Sequence, residues 1–266
     1  NTVIVDGREH RDFCYVQRDV DGGQGLVSES GRTVLWGIGT HVQAVAFDDP
    51  LIAGNAERFE RQLVMVDVGE RDCYWFDAFR VRGGSEHAKL TRASVCTLQT
   101  EGLALVPFVA DPDPYGMAFI RDRNAAQNFR YETGPDFPFV RNLRIDRAPA
   151  ADWHADWRYL NAYPGYFGDL GDRQLTLRYR DLTERAEVIA YEAFYDSYGA
   201  VLTCFPERLQ GVQGHPEQML PGIAVVTRGD APLATTFVGL YEAREGGDVT
   251  AGARRLPVLG PRGRST

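Results

Sequence analysis

Lysine is almost absent from this chain: Lys89 is the one lysine among 29 basic residues, so the positive charge rests on 28 arginines. A guanidinium is planar and permanently ionised, which suits two-pronged contacts to carboxylates and phosphates, although a GC-rich coding sequence gives the same bias. Cysteine is scarce as well. Cys14, Cys73, Cys96 and Cys204 show no C-x-x-C spacing and are too few for a disulfide scaffold. Cys73 and Cys96 lie in apolar runs, where a buried free thiol is the default. No apolar run approaches the roughly 20 residues that span a bilayer, so no membrane span is expected. Acids outnumber bases 37 to 29, a net charge of −8 that excludes a general nucleic-acid binder. The P-loop, nucleophile-elbow and zincin motifs are missing, as is any glycosylation sequon. Gly22-Gly23-Gln24-Gly25 and Gly37-Ile38-Gly39 lack a strand–turn–helix setting and read as turns. The chain opens Asn1-Thr2-Val3 without a methionine, and the expectation is a processed or excised piece.

What is present is strand signal. Runs rich in β-branched and aromatic residues, bounded by Gly, Asp or Pro, fall at 2–5, 33–36, 41–47, 61–68 and 73–81. Others fall at 103–109, 174–179, 187–191, 200–205, 223–227 and 235–241. Strands follow one another without intervening helices. The expectation is an all-β fold, an antiparallel β-sandwich of two layers with a smaller C-terminal β-sheet unit. Composition shifts near 144–156, where 145–151 reads as a linker or long loop, giving units of 1–147 and 148–266. Segment 111–142 reads as a loop, and the tail from Ala251 as frayed.

Few residues invite chemistry. His10, His41, His154 and His215 have ordinary surface, structural or loop readings, whereas His87 follows a long strand and a Gly83-Gly84 turn, which places it near a sheet edge. Asp48 and Asp49 supply carboxylates at the end of another strand, but a metal needs several converging ligands. Asp77 shares strand parity with Trp75 and Phe79, so it faces the core and requires a partner such as a neighbouring-strand arginine. Arg80 and Arg82 point to the opposite face, free to meet an anionic group or to pair with acids. Trp153 and Trp157, with Tyr159, Tyr163, Tyr166 and Phe167, form an aromatic cluster suited to stacking on sugar rings or to packing between sheets.

The run Arg61-Gln62-Leu63-Val64-Met65-Val66-Asp67-Val68, followed by Tyr74-Trp75-Phe76-Asp77-Ala78-Phe79-Arg80-Val81-Arg82-Gly83-Gly84 and His87, resembles the heparinase II/III-like polysaccharide lyases. Asn1-Thr2-Val3-Ile4-Val5-Asp6-Gly7 is similar to that family's opening strand with its leading histidine cut off, and 42–50 to the strand that precedes the central motif. Val226-Thr227-Arg228-Gly229 and Thr236-Phe237-Val238-Gly239-Leu240-Tyr241-Glu242 are similar to its closing strands. The resemblance implies an (α/α) toroid upstream of a β-sandwich and a smaller sheet, with this chain the β part alone. It implies cleavage of an acidic, uronic-acid-containing polysaccharide by β-elimination, in a periplasmic or secreted protein. A base removes the proton α to the uronate carboxyl group and an acid protonates the leaving oxygen, with the main catalytic groups on the toroid.

Carried over by residue, His87 and Asp48, with Asp49 as the fallback, become zinc ligands. The remaining histidine ligand lies before Asn1, so the site is incomplete here. Where family members often place a second histidine after the first, this chain has Leu90-Thr91-Arg92, and Arg92 keeps a positive charge but no proton-shuttling ability. Arg80, Arg82, Arg92, Trp153 and Trp157 stand as substrate-binding candidates, with no catalytic residue assigned. Two other readings remain: a carbohydrate-binding or scaffolding β-sandwich without chemistry, and a uronate epimerase of similar architecture.

Overall fold

The computed structural model describes residues 2–7, 16–20, 23–27, 31–49, 53, 55–69, 72–93, 96–107, 140–160, 169–194 and 219–256. Among these residues there is no helix. The first strands are β1 (Thr2–Val5), β2 (Val16–Val20), β3 (Gly23–Val27), β4 (Arg32–Ile38), β5 (Val42–Asp48), β6 (Ala56–Asp67), β7 (Cys73–Gly83) and β8 (Glu86–Arg92). They are followed by β9 (Cys96–Glu101), β10 (Val106–Pro107), β11 (Val140–Asp146), β12 (His154–Tyr159), β13 (Leu175–Asp181), β14 (Glu187–Phe194), β15 (Met219–Arg228) and β16 (Ala234–Glu245). A six-stranded sheet runs β1-β8-β15-β14-β11-β10, an eight-stranded sheet runs β4-β5-β6-β7-β16-β13-β12-β9, and β2 and β3 form a separate hairpin. Pairing is antiparallel throughout.

The two larger sheets close on one core. Val3, Val5, Val188, Ile223 and Val225 come from the six-stranded sheet and meet Phe79, Val81, Trp157, Tyr179, Phe237 and Tyr241 from the other. Each fully buried side chain of this size stabilises the fold by about 1.5–3 kcal/mol. Ala88, Ile189, Ala224 and Val226 are buried on the outer face of the six-stranded sheet, so β15 is apolar on both sides and reads as an unbroken run. The all-β sandwich expected from the sequence is therefore present.

Strands do not sort by chain half. β15 lies between β8 and β14, and β16 lies between β7 and β13, so both sheets draw on both sides of residue 147. The division expected at 147/148 does not coincide with the sheets. Of the loop expected at 145–151, residues 147–151 do connect β11 to β12, but Ile145 and Asp146 are buried in β11, and Asp146 accepts the backbone N–H groups of Ala104 (2.7 Å) and Ala148 (2.9 Å). The strand expected at 200–205 and most of the loop expected at 111–142 lie outside the described residues.

One end of the eight-stranded sheet is left in solvent. Residues directly opposite in an antiparallel pair share a face, so Asp77, Leu63, Val45 and Trp36 form one lateral row across β7, β6, β5 and β4. Exposure along that row rises from 0% at Asp77 to 69% at Trp36, and Ile38 in the neighbouring row is 71% exposed.

Candidate functional site

The motif residues meet at the corner where β7 crosses into β8. Gly83 has φ +132°, and a side chain there would press within 2.3 Å of the Asn55 carbonyl, so this turn requires glycine. Asp6 reaches the same turn from β1. Its Oδ1 accepts the Ser85 N–H at 2.7 Å, the Ser85 hydroxyl at 3.1 Å and the Glu86 N–H at 3.0 Å, while its Oδ2 accepts from Asn55 at 2.7 Å. Burial works to raise the Asp6 carboxyl, but these donors hold it below the usual carboxylate range. Arg228, from the closing stretch of the motif, donates to Glu86 at 2.6 Å, and the Gly229 N–H donates to the Ser85 carbonyl at 3.0 Å. Segments some 80 and 140 residues apart thus lock one turn.

β8 then inverts the usual alternation. His87, Lys89 and Thr91 face the core, whereas Ala88 packs on the outer side. Each inward polar residue has an assigned partner. His87 is fully buried; its Nε2–H donates to the Gly83 carbonyl at 2.7 Å, and its Nδ1 accepts from the Thr235 hydroxyl at 2.8 Å. Thr227 in turn donates to Thr235 at 2.9 Å. Burial pushes the imidazole pKa down, so the ring is held neutral as the Nε2–H tautomer.

Lys89, 1% exposed, places Nζ 2.9 Å from Asp77 Oδ2, an ion-pair contact outside good hydrogen-bond alignment. Its ammonium also sits 5.3 Å from the Tyr179 ring centroid and 5.7 Å from that of Tyr241. Arg61 completes the Asp77 shell, with Nε 3.0 Å and Nη2 3.2 Å from its two oxygens. Burial alone would raise the Asp77 carboxyl, but Lys89 and Arg61 hold it below its ordinary range. Burial likewise opposes the Lys89 charge, and Tyr241 and Asp77 keep the lysine protonated above its usual pKa. Tyr179 donates to Asp181 at 2.6 Å and Tyr241 bonds Thr91 at 3.3 Å; burial raises both phenols.

The arginine partner expected for Asp77 is thus Arg61. Lys89 is the residue that sequence reasoning passed over: alternation with apolar Ala88 and Leu90 points it outward, and its being the one lysine of the chain was the only signal. The edge position expected for His87 is corrected: β8 is an interior strand, with His87 paired to Val5 on one side and Thr227 on the other.

The zinc ligands are not brought together. Zinc needs the lone pair of a ring nitrogen, but one nitrogen of His87 carries the proton and the other accepts from Thr235. Asp48 ends β5 in the other sheet, where Arg32 grips its Oδ2 from Nη2 at 2.7 Å and Nε at 3.1 Å. Asp49 follows it, its N–H donating to the Phe59 carbonyl. Among the described residues no three His, Cys, Asp or Glu side chains converge as a metal site. They do not fit the zinc site implied by the resemblance.

The substrate-binding candidates scatter as well. Arg80 pairs with Glu60 at 2.7 Å and Arg82 with Glu57 at 3.2 Å, both on the outer face of β7. Arg92 ends β8, half-buried. Trp153 is buried against Tyr179, and Trp157 is fully buried with its Nε1–H donating to the Pro221 carbonyl at 2.9 Å. Neither indole presents a face for a sugar ring; both pack the core, which corrects the stacking role. Tyr163, Tyr166 and Phe167 lie outside the described residues. Cys96 is a buried free thiol, pushed by burial up to about 12.

No protein-family model matches the chain, and no curated protein matches its sequence. Among solved structures it is similar to a heparinase III gene product, at 9% identity and TM-score 0.41 over 92% of this chain and 24% of that one. It is also similar to the heparan sulfate lyase HepC from Pedobacter heparinus, at 8% identity and TM-score 0.32 over 92% of this chain and 24% of that one. A mutant of the same lyase gives 9% identity and TM-score 0.33. The chain thus spans about a quarter of the length of these structures, and the likeness is one of distant fold.

Proposed function

We propose that this chain is the β-domain portion of a polysaccharide lyase that cleaves uronic-acid-containing polysaccharide by β-elimination, its main catalytic groups residing on a preceding (α/α) toroid. The observation that carries the reading is the use of the motif residues. Asp6, Arg61, Asp77, Gly83, His87 and Arg228, read from the sequence as family positions, interlock around one turn and one buried ion pair. They build a scaffold. An elimination base must touch the carbon-bound proton, and His87, Lys89, Tyr179 and Tyr241 are closed off inside the sandwich. A division of labour, with this part as framework and the base elsewhere, is consistent with that arrangement.

An acidic polysaccharide partner and a periplasmic or secreted location belong to the same reading. The exposed β4 side chains Trp36 and Ile38 offer apolar surface for the preceding unit to cover. A carbohydrate-binding scaffold without chemistry is the second reading, favoured by the same full engagement of the motif residues. The test is to assay this chain and the longer toroid-bearing protein on heparin, chondroitin, hyaluronan and alginate, following unsaturated-uronate absorbance. Turnover by the longer protein alone is expected. Turnover by this chain alone overturns the two-part site, and none by either leaves the scaffold reading.

A further inference from the structure

At one end of the sandwich the entry to β12, the β13–β14 turn and the segment after β16 enclose an open cleft of about 940 Å³. It shares Asp152, Trp153 and Asp181 with an adjoining recess of about 300 Å³. Four arginines, Arg147, Arg185, Arg254 and Arg255, line the cleft, matched in number by Asp152, Asp181, Glu184 and Glu187. Most of the acids beside them are already engaged. Glu184 meets Arg255 at 3.3 Å, and Glu187 takes both Arg147 (3.0 Å) and Arg228 (2.5 Å). Asp181 is buried and accepts from Tyr179 and from Thr183. Asp152 is the remaining carboxylate of the lining.

Arg185 and Arg254 have no acidic partner among the described residues. Arg185 also holds φ +54° at the tip of its turn, a left-handed conformation that non-glycine residues adopt at a cost. Strain of this kind concentrates at binding sites. We propose that this cleft is a binding subsite for an anionic sugar chain, with Arg185 and Arg254 receiving its carboxylate or sulfate groups. The ligand class rests on the polysaccharide reading above; the site itself rests on the cleft and its two unpaired guanidinium groups. A guanidinium fork matches either oxyanion in a two-pronged contact.

The test is calorimetric titration of this chain, at low salt, with size-defined heparin, with hyaluronan and with neutral dextran. The variant R185N/R254Q keeps a residue tolerant of the left-handed turn and removes both charges. R173A serves as control, because Arg173 pairs with Glu245 away from the cleft lining. Binding of an acidic polymer but not dextran is expected, weakened about tenfold or more in the double variant, the scale of one charge-assisted hydrogen bond. Hyaluronan binding identifies carboxylate as sufficient; binding of heparin alone assigns sulfate. Unchanged affinity in a double variant that melts like wild type overturns the subsite. So does failure of the wild-type chain to bind either acidic polymer. Unsaturated product from the longer protein with unchanged affinity in the variant rejects the subsite and keeps the lyase. Weakened binding without elimination does the reverse.

Discussion

Replacing Lys89 by Met tests the buried ion pair at the centre of the sandwich. The substitution keeps the length of the side chain and removes the charge beside Asp77, which is 0% exposed. Breaking a buried pair by deleting one partner costs about 3–5 kcal/mol, because the surviving charge is left without compensation. Here Arg61 still reaches Asp77 at 3.0 and 3.2 Å, so the lower end, about 3 kcal/mol, applies. For a chain of this size about 2–4 °C of melting temperature accompanies each kcal/mol, so K89M should melt about 6–12 °C below wild type.

The pH dependence follows from the direction of the shifts. The Asp77 carboxyl lies below its ordinary 3.8 in the fold, so its contribution is present above that value and is lost as pH falls through the folded value. Lys89 lies above its ordinary 10.5, so its contribution is present below that value and is lost as pH rises through the folded one. The gap between wild type and K89M should therefore hold from neutrality down to about pH 4 and close in stronger acid. Thermal unfolding followed by circular dichroism, with urea midpoints as a second measure, reads it. Adding D77L to K89M should recover part of the loss, since a full apolar replacement leaves no buried charge. A K89M protein within about 0.5 kcal/mol of wild type would refute the reasoning, because the lysine would then contribute no more than a surface residue.

Three further outcomes follow from the same geometry. Because His87 lies below its ordinary 6.5 in the fold, its contribution is complete above that value and is lost as pH falls below it; the melting gap between wild type and H87Q should narrow from about pH 7 to about pH 5. His154, also shifted down, is common to both proteins and cancels from the comparison. Gly239→Ala places a methyl 2.4 Å from the Tyr179 ring and 3.2 Å from Lys89 Nζ, and should cost about 1–3 kcal/mol in chemical denaturation. Trp36→Ser should change stability by no more than about 0.5 kcal/mol, since the side chain is 69% exposed; a large loss on melting would show that the row is covered.

The strands legible in the sequence were those rich in β-branched and aromatic residues, buried as in β7 or exposed as in β4. The runs at 33–36, 61–68, 73–81 and 235–241 overlap β4, β6, β7 and β16, where β-branched and aromatic residues alternate or run on. β8 and β12 escaped notice. His87, Lys89 and Thr91 put polar groups on the core side of β8, so it reads as surface, and β12 reads as an aromatic loop because Asp156, buried under Arg178 at 2.7 Å and Arg244 at 2.8 Å, interrupts its apolar run. Parity correctly aimed Asp77 inward and Arg80 outward, because a strand fixes the face of each side chain. It could not reveal Lys89 as a partner across the sandwich, since that pairing depends on how β8 crosses into the other sheet. The metal role of His87 came from the resemblance and is opposed by the engagement of both ring nitrogens, whereas the sugar-stacking role of Trp153 and Trp157 rested on residue type and is opposed by their burial.

The proposed lyase reading meets its most direct test in the products of the longer, toroid-bearing protein that the proposal calls for, acting on an acidic polysaccharide and weighed by mass spectrometry. β-Elimination divides a chain without taking up water, so the two fragments together should equal the substrate in mass and one should carry an unsaturated uronate. Fragments heavier by one water per cleavage, or an uncleaved chain with inverted uronate, would contradict it.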